Sequence, residues 1–131
     1  DISHRVHHVQ VKPKNWKAFD DASHLDTVIE PIAALLRLFA AENSIVFCTG
    51  RSDNHRDATR KWLLKHDLFH DELYMRKHKD YREDSIIKVE LLQQIRKDFG
   101  EPYLWFDDRD RVVNAIRAEG VKVLQVAAGD F

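Results

Sequence analysis

Asp107 and Asp108 follow an apolar run, Tyr103-Leu104-Trp105-Phe106, that reads as a buried strand. Adjacent carboxylates at a strand tip repel each other unless a cation lies beside them. Oxygen-only ligands of this kind suit a hard divalent ion, Mg²⁺ above all. An acidic helix N-cap is the plain alternative for such a pair. Thr49-Gly50-Arg51 follows a second apolar run, Ile45-Val46-Phe47-Cys48. It offers a hydroxyl, closely approaching amides and a guanidinium fork, the parts of a phosphate site. Its plain alternative is an ordinary strand-to-loop turn with a surface arginine. Lys88 falls in the first turn of a helix whose expected cap is Asp84. An ammonium there opposes the positive end of the helix dipole at a cost of roughly a few tenths of a kcal/mol, which makes sense if it faces an anion. Taken singly, it would be a solvated lysine. The order of hydroxyl at one strand end, lysine at a helix start and acidic pair at the next strand end is more specific than any member. Strand ends are where ligands gather in a parallel α/β sheet.

The elements that must carry these residues follow from periodicity. The first fourteen residues, with His4, His7, His8 and Pro13, show no clear period and read as loop. Asn15 to Ala22 suits a short helix carrying Trp16 and Phe19. Thr27 and Glu30 have capping-box spacing, and Pro31 suits a first turn. Ile32, Leu35, Leu36 and Phe39 then mark an amphipathic helix. Strands are expected at Ile45–Cys48, Leu73–Met75, Tyr103–Phe106 and Val121–Val126. Helices are expected at Arg56–His66, burying Trp62 and Leu63, and from Asp84 to a stop at Gly100. Ile87, Leu91, Leu92, Ile95 and Phe99 share a face of the latter. A last helix, Asp110–Glu119, should bury Val112, Val113 and Ile116 and end at Gly120. Alternation of this kind means βαβ units and a mostly parallel sheet, an α/β fold.

Composition narrows the classes. The 131 residues suffice for one domain with one core. Nothing approaches a membrane span or the apolar core of a signal peptide. The single cysteine, Cys48, excludes an internal disulfide, fits a reducing cytoplasm and reads as a small core residue. A formal net charge of -1 argues against an extended electrostatic grip on nucleic acid, so any such contact should be short and local. His4, His7 and His8 cluster, yet no acidic or cysteine partner stands nearby at ligand spacing, which argues against a transition-metal site there.

The strand-end residues resemble motifs two, three and four of the haloacid dehalogenase superfamily of phosphotransferases. More narrowly, nearly the whole chain resembles the 3′-phosphatase domain of phage-type polynucleotide kinases. The stretches that carry this are Ile45 to Arg51, Thr59-Arg60-Lys61-Trp62, Asp84-Ser85-Ile86-Ile87-Lys88, Phe106-Asp107-Asp108-Arg109 and Gln125-Val126-Ala127-Ala128-Gly129-Asp130-Phe131. The last is similar to that family's C-terminus, so the chain is expected to end where the native protein ends. The resemblance implies a Rossmann-like three-layer parallel sheet, the haloacid dehalogenase fold. Residues 1–131 would form the phosphatase domain, with 1–25 a small cap or the loop after the first motif. It also implies a Mg²⁺-dependent phosphatase that removes 3′-phosphate from polynucleotide ends through an aspartyl-phosphate. The setting would be a cytoplasmic polynucleotide kinase/phosphatase in end repair, acting on a short DNA or RNA 3′ end or a nucleotide.

The resemblance also distributes roles. Asp107 would hold Mg²⁺, and Asp108 would bind a metal-bound water or orient Asp107. Thr49 would donate a hydrogen bond to the transferring group, and Lys88 would pair with nucleophile and phosphate. Arg5 and Arg51 would fork onto phosphate, with Gly50 and Arg109 also in the phosphate- and substrate-binding set. Arg56, Arg60, Lys61, Arg76, Lys77 and Lys79 are candidates for a nearby backbone phosphate, each with a solvated charge as its alternative. Trp16 or Tyr81 would stack a base, unless Trp16 packs a cap over the site.

One departure stands out. The superfamily carries D-x-D-G-T at the tip of its first, central strand, and this sequence has none. Asp1-Ile2-Ser3 lacks the second carboxylate and any strand before it, and Asp20-Asp21 follows a helical pattern. Asp1 to Arg5 instead matches the segment just downstream of that motif. The first, central strand and the nucleophile are therefore expected upstream of Asp1, possible company there including a kinase domain. A central strand buries about three large apolar side chains at roughly 1.5–3 kcal/mol each, comparable with a domain's stability of about 5–15 kcal/mol. The 131 residues alone are thus expected to fold poorly and to lack activity. Two rival readings are a small-molecule phosphatase of the same superfamily, acting on nucleotides or sugar phosphates, and a degenerate, non-catalytic member acting as a binding module.

Overall fold

The computed structural model describes residues 1–10, 14 and 16–131. Pro13 and Asn15, at the expected loop and helix start, lie outside them, as do the side chains of Asp20 and Asp21. The chain divides into two compact units, residues 1–47 with 54–72, and residues 48–53 with 73–131.

The first unit is helical. Helices α1 (His7–Gln10), α2 (Trp16–Asp21), α3 (Glu30–Ala40) and α4 (Arg56–Lys65) carry it. Helix α1 falls where loop was expected. Its Val9 is buried, and an apolar anchor of that kind stabilises a turn too short to persist on propensity alone. The Thr27–Glu30 capping box does not form. The N-cap of α3 is Ile29, with no side-chain cap bond, and the Thr27 carbonyl instead accepts from the Asp1 ammonium. Pro31 takes the first turn as expected, where its missing N–H costs nothing. Leu63 is buried on α4, whereas Trp62 is only half-buried, its indole N–H donating to the Asp26 carbonyl at 2.9 Å.

The second unit holds the α/β alternation. Strand β1 (Val46–Ser52) starts in the first unit and runs on through this one. Then come β2 (Glu72–Arg76), α5 (Asp84–Phe99), β3 (Trp105–Asp107), α6 (Asp110–Ala118) and β4 (Val123–Gln125). Strands β3 and β4 pair in parallel, with Trp105 opposite Val123 and Asp107 opposite Gln125. Among the described residues the strands form two pairs, β1 with β2 and β3 with β4, so one continuous sheet is not made. The resemblance places the superfamily's central strand between β1 and β3. The core gathers Leu92 of α5, Val112, Val113 and Ile116 of α6, and Val121 and Val123 around β4, all buried. Each such side chain contributes roughly 1.5–3 kcal/mol.

Several boundaries differ from expectation. Strand β1 extends through Thr49-Gly50-Arg51, which lie on the strand and not in a turn after it. Tyr103 is 85% exposed and precedes β3, and Phe99, in the last turn of α5, is also exposed. Both aromatics sit at element ends, where the apolar face runs out. Helix α5 has Glu83 as N-cap and Asp84 as its first residue, so Asp84 is not the cap. Gly100 and Gly120 do end α5 and α6, both at positive φ. Among the described residues no helix is long and apolar enough to cross a membrane.

Candidate active site

The site is built wholly from the second unit. Helix α5 starts beside β1 and presents two charged side chains one turn apart, Asp84 and Lys88, both largely buried. The Lys88 ammonium donates to Asp107 Oδ2 at 2.8 Å and lies 3.7 Å from Asp84 Oδ2. Burial alone would depress the lysine, but the Asp84 and Asp107 carboxylates outweigh it and hold its pKa above the ordinary value. Lys88 is therefore a buried cation at neutral pH, and the solvated-lysine alternative is set aside.

Asp107 ends β3 and is itself buried. Its Oδ2 also accepts from the Trp105 indole at 3.3 Å, while Oδ1 accepts the backbone N–H groups of Asp108 at 3.0 Å and Arg109 at 3.3 Å. The following turn is thus folded around this carboxylate. The helix-cap alternative does not hold, since the N-cap of α6 is Arg109 and no side chain caps it. Burial, with the neighbouring Asp107 charge, raises the pKa of Asp108.

Asp84 is the member that sequence reasoning missed, having treated it as a cap. Its carboxylate accepts from Arg109 at 3.1 Å and from Arg76 at 3.5 Å. The signal available was its position four residues before Lys88, the spacing at which helical charges meet. Gly50 lies directly against it: a Cβ built there would fall 1.8 Å from Asp84 Oδ1. The Gly50 carbonyl accepts from Arg76 Nε at 2.7 Å. Arg76 also donates to the carbonyls of Asp80 and Arg82, which makes it an internal brace instead of a surface phosphate ligand. Beside Gly50, the Thr49 hydroxyl accepts the Arg51 N–H at 3.2 Å.

Cys48 precedes this group on β1. Burial pushes its thiol up to about 12, with Lys88 lowering and Asp84 and Asp107 raising it. A thiol held that high is protonated and inert at neutral pH, and Cys48 is half-buried, not fully in the core as expected.

The structure therefore brings together Gly50, Asp84, Lys88, Asp107 and Arg109, with Thr49 and Arg51 flanking Gly50 on β1 and Asp108 beside Asp107. Arg5 belongs to the first unit and is buried there. Its Nε and Nη2 fork onto Asp26 at 2.6 Å each, its Nη1 donates to the Phe19 carbonyl, and its guanidinium lies 4.0 Å from the Phe19 ring centroid. His4 does meet an acidic partner, the same Asp26 at 3.0 Å, yet no group of three metal-ligating side chains occurs among the described residues. Trp16 packs edge-on against Phe19, and Tyr81 is 88% exposed. Arg60, Lys61, Lys77 and Lys79 are exposed.

Asp107 and Asp108 fit Mg²⁺, a cation that takes one or two carboxylates and completes its shell with water or phosphate oxygens.

Residues 9–131 match the family model for the polynucleotide kinase PNKP phosphatase domain. A chain of a solved Pnkp1/Rnl/Hen1 RNA repair complex is similar at 31% identity and a TM-score of 0.79, over 84% of this chain and 36% of that one. A chain of another solved Pnkp1/Rnl/Hen1 complex matches at 32% identity and a TM-score of 0.79, over 85% of this chain and 40% of that one. The present chain thus spans well under half the length of the solved chains it matches. With the cluster on Asp84, Lys88 and Asp107 lying inside the matched residues, the chain belongs to the polynucleotide kinase PNKP phosphatase domain family of haloacid dehalogenase type.

Proposed function

We propose that the protein removes 3′-phosphate from DNA or RNA ends as the Mg²⁺-dependent phosphatase part of an end-repair enzyme. The buried Lys88–Asp107 pair at the tip of β3 is the observation that carries this reading. A cation and a carboxylate fixed 2.8 Å apart away from water serve little purpose for stability alone, because burying both is costly. They serve chemistry that must balance charge at a phosphoryl group.

In this reading Asp107 and Asp108 hold Mg²⁺, which when bound neutralises charge on the phosphoryl oxygens. Lys88, kept protonated by Asp84 and Asp107, faces the anion. Thr49 donates a hydrogen bond from its hydroxyl to a phosphoryl oxygen, and Arg51 forks onto the same group. Gly50 keeps β1 free of a Cβ where strand and helix meet. Arg109 holds Asp84 in place, and Arg5 orders the first unit through Asp26; each guanidinium already serves a carboxylate, which argues against phosphate as its first partner. In this reading the nucleophilic carboxylate is the first aspartate of the family's D-x-D-G-T motif, which these 131 residues do not contain. The phosphoryl group passes from the 3′-oxygen to that carboxylate, the departing oxygen takes a proton from the motif's second aspartate to become the 3′-hydroxyl, and water then cleaves the acyl phosphate to give inorganic phosphate.

The test uses the full-length protein, with phosphate release measured from a 3′-phosphorylated oligonucleotide, a 3′-mononucleotide and a sugar phosphate. The oligonucleotide should be preferred at least about tenfold in kcat/KM, and Asp107→Asn should lower turnover by about 10³-fold or more, several kcal/mol of lost charge stabilisation. Near-full turnover in Asp107→Asn would reduce the acidic pair to a structural role. Preference for the small substrates would assign a small-molecule phosphatase, and an inactive wild type a binding module.

A further inference from the structure

The turn that carries the acidic pair is enclosed by one short segment, Gln125–Phe131, which grips it residue by residue. The Val126 N–H donates to the Asp107 carbonyl at 3.1 Å. The Gln125 amide donates to the Asp108 carbonyl at 3.0 Å and to Asp110 Oδ1 at 2.6 Å. The Gly129 carbonyl accepts the Asp110 N–H at 2.9 Å. Gly129 also packs so closely that a Cβ there would fall 1.8 Å from the Asp108 carbonyl oxygen. Finally, the Phe131 ring centroid lies 4.4 Å from the Arg109 guanidinium carbon.

We infer that Phe131 is a positioning residue for the site, acting through Arg109. Its ring covers one face of the guanidinium, whose Nη1 bonds Asp84 at 3.1 Å, and Asp84 in turn flanks the Lys88 ammonium at 3.7 Å. An aromatic face holds a guanidinium by charge–quadrupole attraction and restricts its plane. That plane orients one of the three cations that hold Asp84, and Asp84 together with Asp107 holds the lysine. Gly129 lets the segment lie flat on the turn so that Phe131 reaches Arg109. The side chain that Phe131 touches, Arg109, is charged and bonds Asp84, which distinguishes this contact from apolar packing that would only stabilise the fold.

The inference rests on the proposed phosphatase reading for its kinetic consequence, and the test separates the two. Phe131→Leu and Phe131→Trp are made in the full-length protein; both retain a large apolar side chain, and only the second retains a ring. Steady-state kinetics with a 3′-phosphorylated oligonucleotide and exchange of the Arg109 side-chain N–H by nitrogen-15 NMR are measured. Phe131→Leu should lower kcat about tenfold with KM within about twofold, and should speed Arg109 N–H exchange. Phe131→Trp should restore both to within about threefold of wild type. Equal kcat in the Leu, Trp and wild-type proteins, or a Leu defect confined to KM, would overturn the inference. An inactive wild type would sink the phosphatase reading, while the exchange rates would still decide whether the ring holds Arg109.

Discussion

Asp108 shows how an individual side chain at this site is held in an unfavourable state. Its pKa is raised by burial and by the adjacent Asp107. A carboxylate whose folded pKa exceeds its unfolded one destabilises the fold wherever it is ionised, and the penalty fades as pH falls below the unfolded value. Asp108→Asn should therefore raise the melting temperature at pH 7 without divalent ions by roughly a few degrees. That gain should vanish as the pH drops below about 4, where both states are protonated. Millimolar Mg²⁺ should narrow the difference, because the wild type then gains a cation. A lower melting temperature for Asp108→Asn at pH 7 would contradict this account. Such residues stand out in the sequence because their types are unusual in their places: two acids at a strand tip and a lysine near a helix start, although Lys88 proves to be the fifth residue of α5 and not in its first turn. Asp84 was missed because an aspartate at a helix start has a ready local explanation, and only the fold reveals that its oxygens serve Arg76, Lys88 and Arg109.

Among the elements, β1 and α5 meet at one point that tolerates no side chain. Asp84 cannot swing away cheaply from Gly50, because Arg109 and Lys88 hold its Oδ2 and Arg76 its Oδ1. Gly50→Ala should destabilise the domain by about 1–3 kcal/mol, the usual cost of overpacking. Denaturant unfolding checks it, and an unchanged midpoint would mean that the strand shifts freely. The helices and strands of the second unit were readable because hydrophobic periodicity reports packing, and α6 buries Val112, Val113 and Ile116 as its spacing demanded. Element ends were less readable. Whether Thr27 caps α3, or whether Thr49 to Arg51 leave the strand, depends on partners distant in sequence: the Asp1 ammonium in one case, Arg76 and Asp84 in the other. The short helix α1 had no periodic signal, since one buried valine secures it.

At the scale of the molecule, the alternation of strands and helices and the family agree with the sequence reading, whereas Arg5, expected on phosphate, forks onto Asp26. The division into two units was not visible, because two of its cuts fall inside β1 and β2 and not at linkers. The charged cluster of the second unit carries a further implication. Arg76, Lys88 and Arg109 offset Asp84, Asp107 and Asp108, so the group is close to neutral as it stands. A phosphate dianion entering alone, or a divalent cation entering alone, would leave that buried group unbalanced; together they cancel. Each ligand should therefore raise the affinity of the other, and by the same factor, since coupling between two binding equilibria is reciprocal. Titration calorimetry of inorganic phosphate into the full-length protein, with and without Mg²⁺ and corrected for ion pairing in solution, should show about fivefold or greater coupling. Independent binding would mean that solvent, and not a partner ligand, compensates the charge.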